Sequence, residues 1–113
     1  MRANKPWFSM AGNTISIYDE IDTDSVRAFM DELSRLPKSG PVKMEINSPG
    51  GDVFAGMQCY YQLAKIRDRL EIEVAGLAAS ISSIIALAGR KLTMAAGSFY
   101  MLHEPSAVMG GTA

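Results

Sequence analysis

The chain has 113 residues, 48% of them hydrophobic and 20% charged, with a formal net charge of −1 at pH 7. This length allows one domain with a modest core, and the composition excludes intrinsic disorder. Lysine and arginine are scattered rather than blocked, so nothing predicts attraction to nucleic acid or to anionic lipid.

Thr14 to Ile21 opens with polar and apolar residues in alternation, the period of a half-buried strand. Asp22, Thr23 and Asp24 then offer N-caps for a helix whose Val26, Phe29, Met30, Leu33 and Leu36 share one face; Pro37 and Gly40 end it. Val42 to Asn47 predicts the next strand, with Val42, Met44 and Ile46 on one side, followed by a Pro49-Gly50-Gly51 turn. Asp52 can cap a second helix carrying Val53, Met57, Tyr60 or Tyr61, and Ala64, with a polar exit at Arg67, Asp68 and Arg69. Leu70 to Ala75 reads as a strand and Ser80 to Ala88 as a helix apolar nearly all round, hence buried. Short strands follow at Lys91–Met94 and Ser98–His103, around a turn at Ala95, Ala96 and Gly97. Strand and helix alternate, so the expected class is α/β with mainly parallel pairing through right-handed crossovers. A single domain over residues 1–113 is expected, with residues 1–13 and 106–113 poorly ordered.

The only cysteine, Cys59, cannot form an internal disulfide, which fits a reducing compartment and a role as a small core residue. Met1 to Asn13 has no apolar signal core. Val74 to Gly89 is shorter than the ~20 residues a membrane span requires and is interrupted by serine and glycine. A cytoplasmic location without membrane contact is therefore expected.

Three features carry chemistry. Ser80 lies in a run of small and apolar residues, Gly76 to Gly89, at the predicted start of a helix. A serine hydroxyl needs a neighbouring base to act as a nucleophile, and His103, the only histidine, titrates near neutrality. An attacked carbonyl needs pre-aimed N–H donors, which the Pro-Gly-Gly segment and the amide of Ile81 can supply. Each feature has a plainer explanation: a serine as helix cap, a glycine pair as a turn, a histidine as a structural residue. Phosphate binding by the glycines lacks the supporting Gly-x-Gly-x-x-Gly or Gly-Lys-Ser/Thr pattern.

Taken in order, Ile46-Asn-Ser-Pro-Gly-Gly51, Ala55-Gly-Met57, Gly76-Leu-Ala-Ala-Ser80 and Met101-Leu-His-Glu-Pro105 resemble the Clp protease proteolytic subunit over residues 14 to 105. The variant Ser48 to Gly56, with Ile84 to Gly89 after the serine, is most similar to the phage and prophage branch, some members of which mature viral capsids. The resemblance implies a Clp/crotonase-like spiral of ββα units, incomplete at its C-terminus. It implies a serine endopeptidase with Ser80 as nucleophile, His103 as general base and the amides of Gly51 and Ile81 as the oxyanion hole. Residues 50 to 53 would border the groove for an extended peptide. No cofactor or metal is implied. The partners implied are peptide or protein substrates, a homo-oligomeric ring, and a separate AAA+ unfoldase or phage capsid proteins.

Two departures from the family stand out. Leu77 replaces a glutamine or similar residue, a change expected to be tolerated. The family's triad aspartate lies well downstream of the histidine, and nothing here matches it: Glu104 would point away from His103 along an extended segment, and Asp52 is spent on a helix cap. The chain therefore reads as the front portion of such a subunit, and an inactive subunit with a structural role is the rival expectation. An acyl-CoA enzyme of the crotonase type is a third, opposed by the Ala-Ala-Ser context.

Overall fold

The computed structural model describes residues 7–102. The strands run β1 (Phe8–Ala11), β2 (Thr14–Ile21), β3 (Val42–Gly51), β4 (Leu70–Ala79), β5 (Lys91–Met94) and β6 (Phe99–Met101). Between them lie helices α1 (Val26–Ser34), α2 (Val53–Ala64) and α3 (Ile81–Ile85), with a 3₁₀ turn at Arg67–Arg69. All strands join one sheet in the order β1-β2-β3-β4-β5, and β6 pairs with the far half of β4. Only β1 and β2 are antiparallel; every other pairing is parallel. The α/β class with mainly parallel strands is as the periodicity implied.

One face of the sheet makes the core. Ile15 and Ile17 of β2, Val42, Met44 and Ile46 of β3, and Leu70, Ile72 and Val74 of β4 are all buried against Phe29, Cys59, Leu63 and Ile85 of the helices. Each such side chain contributes about 1.5–3 kcal/mol by leaving water. The opposite face is charged: Lys43, Glu71 and Lys91 lie in register across β3, β4 and β5, and Arg90 pairs with Glu71.

Several expected boundaries move. The stretch 7–13, expected to be poorly ordered, carries β1, and Trp7 and Phe8 are buried with Phe29 in an aromatic cluster with centroids 5.1–5.3 Å apart. The chain-end position hid this, because burial of those rings depends on a helix distant in sequence. Residues 106–113, also expected to be poorly ordered, lie outside the described residues. Helix α1 starts after Ser25, which makes no side-chain cap; Asp22 instead accepts the Ser25 N–H at 3.2 Å. Asp52 does cap α2, accepting from Ala55 N at 2.8 Å.

The inward face of α2 is Ala55, Gly56, Cys59 and Leu63 rather than the stripe through Val53 and Met57, and Val53 is 47% exposed. Small residues won the face because α3 packs close: a Cβ at Gly56 would collide with the Ile81 side chain. Of the tyrosine pair, Tyr60 packs on the core and Tyr61 is exposed.

Candidate active site

The site sits where β3 and β4 both run past their expected ends. Pro49, Gly50 and Gly51 do not form a separate turn: they continue β3, with Gly50 opposite Glu20 and Gly51 opposite Ile21 of β2. Register slips by one residue between Tyr18 and Glu20, and by two between β3 and β4 past Ile46. Proline tolerates such irregular strand positions, where it breaks no regular ladder. Similarly, β4 does not stop at Ala75 but extends to Ala79 and ends on Ser80, and the helix after it is five residues long rather than the expected nine.

Ser80 adopts φ 58° and ψ −131°. These are close to the first central position of a type II′ turn, a conformation dominated by glycine. Holding a serine there costs on the order of 1–3 kcal/mol and persists only where the surroundings over-determine it. Four contacts do so. The Ser80 N–H donates to the Met101 carbonyl of β6 at 3.2 Å, and its own carbonyl accepts from Ser83 N at 3.0 Å. The Ser83 hydroxyl donates to that carbonyl at 2.5 Å. Tyr100 Oη donates to the Ser83 carbonyl at 2.7 Å, tying β6 to α3. Burial pushes the Tyr100 hydroxyl pKa up, so it remains a donor well past neutrality.

Gly50 faces this elbow directly. With φ +104°, it leaves room where a Cβ would fall 2.7 Å from Ser80 Cβ, 2.8 Å from the Ala79 carbonyl oxygen and 3.3 Å from Ile81 N. The glycine segment, the serine and the first amide of α3, far apart in the chain, therefore meet at one point. Gly51 comes next, at φ +143°, with its Cα against the backbone of Ile21, and Asp52 N–H donates to the Ile21 carbonyl at 2.9 Å. His103 lies outside the described residues. Asp52 is committed to the Ala55 amide, as its cap role requires.

Two buried serines that the sequence reading left without a role bind the parts together. Ser48 Oγ donates to the Asp19 carbonyl at 2.6 Å and accepts from Gly50 N at 3.1 Å. Ser82 Oγ accepts from Ala79 N at 2.8 Å and can donate to the Ser48 carbonyl at 2.8 Å or that of Ala79 at 2.7 Å. For Ser82 the signal in the sequence was a hydroxyl placed in a run, Ile81 to Ala88, that otherwise reads as core.

A depression on the charged sheet face, lined by Lys43, Glu45, Glu71, Glu73 and Lys91 among others, contains none of these residues. Cys59 is buried between α2 and the sheet, which raises its thiol pKa to about 12 and leaves it inert. No described helix is long and apolar enough to cross a membrane.

The fold and site are thus those of an α/β sheet that delivers a strained serine to a strand-to-helix elbow, against a glycine segment. A sequence profile of the Clp protease family matches residues 6–113, and the chain belongs to that family. It is 34% identical over 105 residues to the ATP-dependent Clp protease proteolytic subunit 3 of Rhodococcus jostii, an alignment covering 88% of this chain and 52% of that protein. It is 34% identical over 96 residues to the proteolytic subunit of Ligilactobacillus salivarius, covering 80% and 49%. Subunit 2 of Prochlorococcus marinus shares 37% over 92 residues, covering 80% and 44%. The chain thus spans about half the length of the curated relatives it matches.

Proposed function

We propose that this chain carries the nucleophile-bearing half of a Clp-type serine endopeptidase. Ser80 Oγ attacks the scissile carbonyl, its proton passes to His103, and the tetrahedral oxyanion is held by the amides of Gly51 and Ile81. His103 then protonates the leaving amine, and water hydrolyses the Ser80 ester by the reverse proton path.

The observation that carries this reading is the strained Ser80 backbone packed on Gly50 beside Ile81 N. An elbow of that cost serves no need of the core, since Ser80 itself is only half-buried. The Ser80 N–H bond to the Met101 carbonyl at 3.2 Å brings the end of β6 to the elbow, and His103 follows two residues later in the sequence. Exposed Val53 and Phe54, just past Gly51, supply an apolar border for an extended substrate.

The motif variant at residues 48–56 favours the phage and prophage branch, with capsid protein as a substrate class. Assembly into rings with a separate ATP-driven unfoldase, in the cytoplasm, is part of the same proposal; the relatives are named ATP-dependent proteolytic subunits. Active-site labelling tests it. A fluorophosphonate should modify Ser80 in the folded chain and fail with Ser80→Ala. A folded wild-type chain that never labels at Ser80, alone or joined to a segment supplying an acidic third residue, would favour an inactive, structural subunit.

A further inference from the structure

We propose that Ser82 is a positioning residue for Ser80, acting as a hydroxyl clamp between the glycine segment and the elbow; the inference rests on the peptidase reading above. Ser82 is fully buried, two residues beyond Ser80, in a short helix whose other inward side chains are mostly apolar. A buried hydroxyl there is costly unless its donor and acceptor capacities are used. Both are used on the same task. Its oxygen takes the Ala79 N–H at 2.8 Å, and its proton is shared between the carbonyls of Ala79 and Ser48, at 2.7 and 2.8 Å.

The Ser48 carbonyl belongs to β3 and the Ala79 peptide to β4, at the place where their regular pairing has slipped between Ile46 and Ser48. Ser82 thus supplies a link across the seam where the ladder is irregular. Ser48 extends the clamp: its own hydroxyl holds Gly50 N at 3.1 Å and reaches the Asp19 carbonyl on β2 at 2.6 Å. The path from Asp19 of β2 to the elbow is continuous, and it controls one distance, that between the Gly50–Gly51 backbone and Ser80. That distance decides whether an oxyanion formed at Ser80 meets the amides aimed at it. Ser83, the neighbouring hydroxyl, acts differently, since it bonds only to the Ser80 carbonyl.

The test compares wild type with Ser82→Ala, Ser82→Thr and Val42→Ala, the last a core truncation remote from the elbow. Two readouts are taken: the second-order rate of fluorophosphonate labelling at Ser80, and hydrogen exchange at the Ala79 and Gly50 amides. Ser82→Ala should label on the order of 10 to 10² times more slowly, as a shift of about 1 Å at a reacting centre does. The two amides should exchange about tenfold faster relative to the β2 and β4 core amides. Ser82→Thr restores the hydroxyl but adds a methyl at a fully buried position, so it should label faster than Ser82→Ala while being no more stable. Val42→Ala should lose stability and keep its labelling rate.

Labelling of Ser82→Ala within about twofold of wild type overturns the inference, whatever the exchange shows. So does an equal loss of labelling in Val42→Ala. If wild type itself never labels, the peptidase reading fails separately; unchanged exchange at Ala79 and Gly50 in Ser82→Ala would then overturn the clamp as well.

Discussion

Replacing Gly50 with alanine tests the contact on which the site depends. The new Cβ would lie 2.7 Å from Ser80 Cβ and 2.8 Å from the Ala79 carbonyl oxygen, where ordinary contacts begin near 3.4 Å. Neither neighbour is the free end of a flexible side chain, so backbone must shift. Overpacking of this kind costs about 1–3 kcal/mol, and an alanine at φ +104° adds strain of about 1–3 kcal/mol. The sum, about 2–6 kcal/mol, is a large part of a stability of about 5–15 kcal/mol. Gly12→Ala is the control: its φ is +60° with nothing within 4 Å of the added methyl, so it carries strain alone, about 1–2 kcal/mol. Urea denaturation should show Gly50→Ala less stable than Gly12→Ala by about 1–3 kcal/mol at unchanged m-value. Ser80 labelling should also be lost in Gly50→Ala under conditions where both variants are fully folded. Equal stability and equal labelling of the two variants would refute the close approach of strand β3 to the elbow.

Asp52→Asn should keep both stability and Ser80 labelling, because asparagine caps helices as well as aspartate does; a fall of ~10⁴ in activity would instead mark Asp52 as the missing triad acid. Tyr100→Phe removes the bond from β6 to the Ser83 carbonyl and should cost about 1 kcal/mol in urea denaturation, with the loss unchanged across neutral pH. Cys59 should resist alkylation at pH 8 in the native chain and react promptly once denatured. Its folded pKa of about 12 stands above the ordinary 9.0, so burial favours the protonated form; its contribution is full below pH 9 and is lost between 9 and 12. The stability of wild type minus that of Cys59→Ala should therefore fall above pH 9 by up to ~1.4 kcal/mol per pH unit, and a flat difference would contradict the burial.

The order of most strands and helices along the chain, and which residues of β2 and β3 face the core, were legible because period-two alternation survives any tertiary arrangement. Asp52 as a cap was legible for the same reason: its partner lies three residues away. The inward face of α2 was not. Apolar spacing pointed to Val53 and Met57, yet close packing against Ile81 reserved that face for Ala55, Gly56 and Cys59. Residue types and their order therefore determined the class, the family and the candidate chemistry at Ser80, Gly51 and Ile81. Tertiary structure alone decided that Pro49 to Gly51 continue a strand, that Ser80 takes a glycine-like backbone, and that Ser48 and Ser82 clamp the two together. Those outcomes depend on register shifts between strands separated by whole helices, and a shift in register leaves no periodic trace in a single chain.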